Sequence, residues 1–267
     1  MHIETFREII LKHYRESGRV FPWRENTNPW GVLVSEFMLQ QTQTERVVAY
    51  WTRWMEKWPE PKDLAAASLE EVLREWSGLG YNRRARFLKE AAVKITEHFN
   101  GKVPAGPDQL KTLPGIGDYS AGAISCFAYN HPSVFIETNI RRVMIHFFFQ
   151  DSKEVNDSLL FPLLEESLDR SNPRVWYWAL MDYGSELKRV TVNPNRRSAH
   201  YTKQSKFEGS LRQVRGAVIK SLAKDGSSTA EKLQEITGFE YDRIKEALEK
   251  LSGESMVAEE NGTYRIK

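Results

Sequence analysis

The sequence predicts an all-α protein: a long helical body followed by a small C-terminal module of three helices and a β-hairpin. From the first residue to about position 190, apolar side chains recur three and four residues apart, as one face of a helix requires. Runs that alternate apolar with polar residues are scarce over the same span. Proline, glycine, asparagine and aspartate interrupt the periodic stretches at short intervals, which divides the body into many helices.

The helices of the body are delimited by breaks such as Asn28–Pro29, Gly78–Gly80 and Asn172–Pro173. Between such breaks, the periodicity predicts helices at about 3–17, 30–58, 68–76, 83–99, 107–112, 118–129, 138–149, 156–168 and 173–187.

The C-terminal module, residues 208–267, has a different pattern. Short amphipathic stretches predict helices at 211–224, 229–238 and 241–251. Val257–Ala258 and Tyr264–Ile266 then flank the turn residues Asn261–Gly262, which is a strong hairpin signal. These elements predict a winged-helix-like module that binds either DNA or a protein. Its nearly balanced charge favours protein contact or packing over direct reading of DNA.

Residues 188–207 separate the body from this module. They contain six Lys or Arg and no Asp or Glu, and Asn193–Pro194–Asn195 disfavours a helix. We interpret them as a basic connector.

The composition excludes several classes of protein. The only cysteine is Cys126, in an apolar stretch, so neither an intramolecular disulfide nor a four-cysteine metal site can form, and core packing is its expected role. The net charge of +2 does not by itself indicate a nucleic-acid partner, because clustering on one face decides that. Without a long uncharged apolar run, we expect a cytoplasmic protein that contacts no membrane, nucleoid-associated in a prokaryote. We also expect a monomer.

The most specific pattern is Leu110-x-x-Leu113-Pro-Gly115-Ile-Gly117-Asp-Tyr119, between two predicted helices. Glycine at 115 and 117 allows a tight turn that presents backbone N–H groups and the positive end of the next helix to a phosphate. Such a hairpin holds DNA without reading its sequence. Taken alone, the same residues also fit an ordinary helix–helix turn.

A carboxylate, Glu137, follows 22 residues after Gly115, immediately before a predicted helix. A glycine hairpin with a carboxylate at this spacing resembles the helix-hairpin-helix (HhH-GPD) DNA glycosylases. Within them the chain resembles the MutY-type A/G-specific adenine DNA glycosylases, most clearly in SEFMLQQTQ at 35–43. Trp23–Arg24, Gly78–Tyr81 and Met181–Gly184 also match, so the resemblance covers about residues 20–187.

The resemblance implies a two-lobed glycosylase core with a DNA cleft between the lobes. We expect residues 1–24 and 131–187 to form a flanking-helix lobe, and residues 25–130 to form the lobe with the hairpin. The connector at 188–207 and the module at 208–267 complete the predicted domains.

In this family an acid protonates the leaving base, and a second carboxylate stabilises the sugar cation and positions or activates water. The resemblance assigns the first role to Glu36 and the second to Glu137. Glu36 would need a raised pKa, which desolvation by Trp30, Leu33 and Phe37 would supply. A solvated glutamate on a helix face is the other interpretation.

Glu137 departs from the aspartate of the family. One extra methylene moves the carboxylate by roughly 1–1.5 Å, and a misplacement of about 1 Å can cost on the order of a hundredfold in rate. Three interpretations stay open: the pocket is adjusted to the longer side chain, this branch acts on a different base, or Glu137 is only a charge partner for the helix N-terminus.

The resemblance implies roles for two further residues near the chemistry. Asn139 matches the residue that orients the catalytic carboxylate, although asparagine is also common at helix starts. Tyr119 stands where bifunctional members that resemble endonuclease III carry a lysine that attacks the sugar. Without that amine, the expected product is an abasic site in an intact strand.

The resemblance also implies DNA contacts. Gln40 and Gln41, on the predicted helix 30–58, would enter the duplex near the position of the flipped base, and Tyr81 would act as a wedge on the opposite strand. Ordinary surface glutamines are the other interpretation. Trp23 and Arg24 match residues that line the adenine pocket, by packing and by hydrogen bonding, or else they form a structural stacking pair.

Family members commonly hold a four-cysteine iron–sulfur cluster after the segment that matches Met181–Gly184, where this chain has Lys188 instead of a cysteine. We expect the connector to fold without metal, with disorder as the other interpretation. No cofactor is expected, apart from a monovalent cation that the resemblance implies at the hairpin when DNA is bound. The connector residues expected to contact phosphates are Arg196, Arg197, His200 and Lys203.

The leading functional hypothesis is monofunctional hydrolysis of a mispaired base in double-stranded DNA, with adenine opposite guanine or 8-oxoguanine as the first candidate. A thymine or uracil mismatch glycosylase is the second. The third is a DNA-binding protein without catalysis, in which the C-terminal module recruits a partner.

Overall fold

A computed structural model describes residues 1–202 and 206–267, which form two compact units. The first unit contains residues 1–32, 105–112 and 116–202, and the second contains residues 33–104, 113–115 and 206–267. Lys203, expected above to contact phosphates, lies outside the described residues. No helix among those described is both long and apolar enough to cross a membrane.

The body is helical, as predicted. Its helices are α1 (Ile3–Ser17), α2 (Pro22–Glu25), α3 (Pro29–Leu39), α4 (Thr44–Lys57), α5 (Pro61–Ala66), α6 (Leu69–Trp76), α7 (Arg83–His98), α8 (Pro107–Lys111), α9 (Asp118–Tyr129), α10 (Thr138–Phe148), α11 (Asp157–Ser167) and α12 (Pro173–Val190). The sequence missed α2 and α5, because four to six residues are too few to establish a helical period.

The core of the first unit is aromatic and surrounds α10 and α12. Phe6 on α1 meets Trp176 on α12 edge to face, with ring centroids 5.7 Å apart. Phe135, just before α10, stacks on Tyr177 at 4.0 Å. Pairs of this kind add about 0.5–1.5 kcal/mol beyond their buried area. Cys126 is fully buried in α9, as its apolar surroundings predict.

The second unit is built around a tryptophan cluster. Trp54 on α4 contacts Trp58 and Trp76, with ring centroids 4.6 and 5.4 Å apart. Helix α6 begins at a local cap, because Ser68 Oγ accepts a hydrogen bond of 3.1 Å from the backbone N–H of Glu71. Helices α5 and α6 both pack against α7, which anchors the loop between α6 and α7.

The predicted single helix over 30–58 is wrong, because the structure divides it into α3 and α4. Gln41, between them, adopts a left-handed conformation with φ 56°. No proline or glycine marks this break. The carbonyl groups at the end of α3 are instead satisfied by Arg84 on α7, which donates to Phe37 O at 2.8 Å and Met38 O at 2.9 Å.

The C-terminal module contains the three predicted helices and the predicted hairpin. Asn261 and Gly262 both have positive φ, as a type I′ turn requires. A short strand that the sequence missed joins the hairpin, so that the described strands form an antiparallel sheet of order β1-β3-β2. Its elements are α13 (Leu211–Asp225), β1 (Ser227–Thr229), α14 (Ala230–Thr237), α15 (Tyr241–Gly253), β2 (Val257–Glu260) and β3 (Thr263–Ile266).

Candidate active site

Glu137 caps the N-terminus of α10. Its Oε1 accepts hydrogen bonds from the backbone N–H of Asn139 at 2.7 Å and of Ile140 at 2.9 Å. These donors belong to the positive end of the helix, which stabilises a carboxylate. The second oxygen, Oε2, accepts from Asn139 Nδ2 at 3.2 Å. Capping therefore occupies one oxygen of Glu137, and Asn139 orients the other.

The orientation of Asn139 is held in turn by Arg142, which is buried. Arg142 Nη1 donates to Asn139 Oδ1 at 2.5 Å and to the carbonyl of Gly184 at 2.6 Å, and its Nε donates to Asn193 Oδ1 at 3.0 Å. Because Oδ1 of Asn139 accepts the hydrogen bond from the Arg142 guanidinium, Nδ2 of Asn139 faces Glu137. Arg142 was not among the predicted site residues, although its position three residues after Asn139 places both on one helix face.

Burial raises the pKa of Glu137 above the ordinary glutamate value. The hydrogen bonds from the backbone of Asn139 and Ile140 oppose this shift, as do the charges of Arg142 and Arg141, but burial dominates. Glu137 therefore holds its proton more strongly than an exposed glutamate does. As a cap, Glu137 does act as a charge partner for the N-terminus of α10, which is one of the three interpretations given above. Its Oε2 takes no part in the cap and is oriented by the side chain of Asn139.

Tyr119 lies in the first turn of α9 and is partly buried. Its ring meets Phe135 edge to face, with centroids 5.9 Å apart. Phe135 also packs against Gly122, where an added β-carbon would stand 3.1 Å from the ring. Tyr119 is thus tied to the segment that leads into Glu137.

The largely buried side chain of Arg24 forms an ion pair with Asp182. Its Nη1 and Nη2 donate to the two carboxylate oxygens of Asp182, both at 2.9 Å. The guanidinium also lies 5.1 Å from the centre of the Phe21 ring and 5.4 Å from that of Trp178. Trp23 is buried and stacks on Phe21 at 5.2 Å. Asp182 belongs to a matched family string, but the sequence did not identify it as the partner of Arg24.

Glu36 on α3 is buried, with 5% of its surface exposed. The interpretation of Glu36 as a solvated helix-face glutamate is therefore wrong. The three apolar residues expected around it, Trp30, Leu33 and Phe37, are buried as well.

The predicted duplex-entering residues follow α3 rather than lying on it. Gln40 and Gln41 occupy the turn after Leu39, and Tyr81 is exposed with φ 49°, a conformation that is strained for a non-glycine residue. One buried guanidinium joins both loops, because Arg84 donates to Gln40 O at 2.6 Å and to Gly80 O at 3.0 Å. Burial lowers the pKa of Arg84 to about 10, so that it is still charged at neutral pH.

The structure requires glycine at only one of the two glycine positions of the hairpin. Gly115 has φ 78°, and a β-carbon there would stand 2.8 Å from Phe87 Cβ and 2.9 Å from Phe37 Cε1. Both conformation and packing therefore demand glycine. Gly117 has φ −97° and open space around it, so neither demands glycine there. Leu113 is 2% exposed, which leaves its backbone, not its side chain, to contact a ligand.

The described part of the basic connector, residues 188–202, contains a short turn that packs against α10. Asn195 lies in a 3₁₀ turn, Pro194–Arg197, and its Nδ2 donates to Thr138 O at 2.8 Å. Arg197 Nη1 donates to Phe149 O at 2.6 Å, just beyond the end of α10. Arg196 and His200 are exposed.

The residues do not fit the four-cysteine cluster that is common in the family, since Cys126 is the only cysteine and lies buried in α9. Within residues 1–202 and 206–267, no three His, Cys, Asp or Glu side chains group together as a metal site would need.

Comparison with known proteins shows similarity to DNA repair glycosylases. Residues 34–163 match the model of the HhH-GPD superfamily base excision DNA repair proteins. An adenine DNA glycosylase of Mycobacterium tuberculosis is 48% identical over 136 residues, which are 51% of this chain and 45% of that protein. A thymine/uracil-DNA glycosylase of Pyrobaculum aerophilum is 37% identical over 151 residues, which are 56% of this chain and 66% of that protein.

The solved structure of a thermostable thymine-DNA glycosylase matches with a TM-score of 0.61 and 24% identity, covering 68% of this chain and 86% of that one. This likeness supports the all-α glycosylase core as a fold. The chain spans about half the length of the Mycobacterium relative it matches.

Proposed function

The chain belongs to the HhH-GPD superfamily of base excision DNA repair proteins, and we propose that it is a monofunctional DNA N-glycosylase. Its proposed substrate is double-stranded DNA with a mispaired base, with adenine opposite guanine or 8-oxoguanine as the leading case. The observation that carries the proposal is the array of Glu137, Asn139 and Arg142 at the start of α10.

This array suits the stabilisation of a sugar cation. Glu137 presents Oε2 in an orientation held by Asn139, and Asn139 cannot rotate without losing its bond to Arg142. A preorganised carboxylate stabilises developing positive charge without reorganising during the reaction. It can also orient the water that attacks C1′ of the deoxyribose.

Glu36 supplies the proton in the proposed reaction. The bond between C1′ and the base nitrogen breaks, its electron pair leaves with the base, and the proton of Glu36 neutralises the departing nitrogen. Water then adds to C1′ and returns a proton to a carboxylate, so that the product is an abasic site. Tyr119 offers no amine for a Schiff base, which supports a product with both strands intact.

The remaining proposed DNA contacts come from the hairpin, the loops around Gln40 and Tyr81, the basic connector and the base pocket. Neither backbone conformation nor packing within the protein requires glycine at position 117. Its absent side chain therefore supports a close approach of a phosphate to the N-terminus of α9. Gln40, Gln41 and Tyr81 are proposed to contact the distorted duplex, and Arg196 and His200 are exposed and able to meet phosphates. Trp23 and Arg24 are proposed to shape the base pocket from a rigid, ion-paired position.

The substrate is tested with a panel of duplexes that each hold one mismatch or lesion. Release of adenine from duplexes with guanine or 8-oxoguanine opposite it is expected. Release of thymine or uracil but not adenine would refute the leading substrate and favour the second candidate, which the 37% identity to a thymine/uracil-DNA glycosylase supports.

The catalytic assignment is tested by Glu137→Gln, with Glu154→Gln as a control because Glu154 is an exposed glutamate of the same unit. The glutamine amide oxygen can still accept the two backbone bonds of the cap, so the fold should survive. We expect base release to fall by at least a hundredfold in Glu137→Gln alone. Equal activity in both variants would remove Glu137 from the mechanism, and no base release by the wild type would favour a DNA-binding protein without catalysis.

A further inference from the structure

An open groove of about 1320 Å³ lies within the second unit. One wall consists of the loop 77–83 with Gln40 and Gln41, which are the residues proposed above to contact DNA. The other wall is α13 of the C-terminal module, which contributes Arg212 and Lys220.

Helix α13 is held firmly against this loop. Arg74 Nε on α6 donates to Ala223 O of α13 at 3.1 Å. At the other end of the helix, Arg212 Nη1 donates to the hydroxyl of Tyr81 at 2.5 Å, and its guanidinium lies 5.6 Å from the centre of the Tyr81 ring. The module therefore touches one of the proposed DNA-contacting side chains directly.

The groove is strongly basic. Its one acidic side chain among the described lining residues, Glu254, forms an ion pair with Arg215. Lys220 and Arg46 are exposed. An excess of positive charge in a groove favours a polyanion, because the field is concentrated between its walls. The basic lining residues are Arg46, Arg83, Arg84, Arg212, Arg215 and Lys220.

We infer that α13 of the C-terminal module is a phosphate-binding wall for the DNA backbone next to the site where Gln40, Gln41 and Tyr81 meet the duplex. This inference rests on the proposed function and extends it to the module. Arg212 and Lys220 are eight residues apart, about 12 Å along a helix, which spans roughly three to four phosphates of one strand. The net charge of the module is nearly balanced, and it therefore does not reveal that the side facing the groove is basic.

The test uses the full chain and a labelled duplex with a stable abasic-site analogue, on which no base can be released. Binding is measured by fluorescence anisotropy over a range of salt concentrations for Arg212→Gln, Lys220→Gln and the double variant. Lys232→Gln is the matched control, because Lys232 is an exposed lysine of the same module that does not line the groove. Each phosphate contact contributes about 0.9 to the slope of log affinity against log salt.

We expect the double variant to lose about two from this slope and to bind about tenfold more weakly at moderate salt. Lys220→Gln should lose about one without touching Tyr81, and Arg212→Lys should restore part of the binding lost in Arg212→Gln. Wild-type slopes and affinities in Lys220→Gln and the double variant, with melting temperatures unchanged, would overturn the inference and leave the module to protein contact.

The proposed function is read out separately, as base release by the wild type on the mismatch panel. Absence of base release together with the expected change in salt slope would refute the glycosylase and support the groove. Base release together with unchanged salt slopes would support the glycosylase and refute the groove as a phosphate-binding surface.

Discussion

Gly184 on α12 touches the backbone of Asn139 on α10 so closely that a β-carbon at position 184 would stand 2.3 Å from the Asn139 carbonyl oxygen. Only glycine permits this approach. The approach also brings the Gly184 carbonyl within 2.6 Å of Arg142, which orients Asn139. The packing of two helices thus determines the geometry around Glu137.

Gly184→Ala should therefore damage both stability and activity. The added methyl group must push α10 away from α12, which we expect to lower the free energy of unfolding by about 2–3 kcal/mol. Urea unfolding measures this change. Gly216→Ala is the control: Gly216 lies in α13 with open space around it, so alanine should raise stability by about 0.5–1 kcal/mol. Equal effects of the two substitutions would contradict the close contact.

The pH dependence of base release should reflect the raised pKa of Glu137. Glu137 must be ionised to stabilise a sugar cation, and it takes up its proton as the pH falls through its pKa. Because burial raises that pKa, the acid limb of single-turnover rate against pH should lie above about 4.5, the ordinary value for a glutamate. An acid limb below that value would show that Glu137 is not the group that titrates.

Glu137→Asp tests whether the site is adjusted to the longer side chain. Aspartate is a good N-cap, so the variant should fold normally. Its carboxylate would be displaced by roughly 1 Å, and we expect single-turnover base release to fall by about a hundredfold. A rate equal to or above that of the wild type would mean that the site accommodates the aspartate of the family without adjustment.

Tyr119→Lys should add strand cleavage to base release. A lysine amine at the start of α9 can attack C1′ and form a Schiff base, which borohydride reduction traps as a covalent protein–DNA complex. Tyr119→Phe is the control, since it keeps the ring contact with Phe135 and provides no amine. If Tyr119→Lys releases base but forms no trapped complex, then position 119 does not face the sugar.

Asp182→Asn should destabilise the first unit in a pH-dependent manner. Asp182 is buried, and although burial raises its pKa, the hydrogen bonds and charges of Arg24 and Arg19 lower it further, so the net shift is downward from 3.8. The stabilisation from its charge is therefore complete above about pH 4 and is lost as the pH falls through the lowered pKa. At pH 7 we expect a loss of about 3 kcal/mol in the free energy of unfolding.

The difference between wild type and Asp182→Asn should shrink when urea unfolding is repeated near pH 3. Glu71→Gln provides the comparison, because the Lys57–Glu71 ion pair is partly exposed and should contribute under about 1 kcal/mol. A loss in Asp182→Asn that is independent of pH would mean that packing, and not the ion pair with Arg24, accounts for the effect.

The sequence predicted the helical body and the C-terminal hairpin, because both depend on nearby residues, and the family resemblance implied the pairing of Glu137 with Asn139. Helical periods and the Asn261–Gly262 turn are local patterns, whereas the spacing of Glu137 from Gly115 gained its meaning from the family resemblance. The pattern failed at Gln40–Gln41, where it predicted a continuous helix. That break depends on Arg84, more than forty residues away along the chain.

The sequence by itself determined which residue types are available: one cysteine, a glycine hairpin, and a carboxylate at the start of α10. The tertiary structure alone decided how the buried arginines are used: Arg24 on Asp182, Arg84 on the carbonyls around two loops, and Arg142 on Asn139 and Gly184. A buried guanidinium must satisfy its donors with whatever acceptors the fold brings near, and those acceptors come from distant segments.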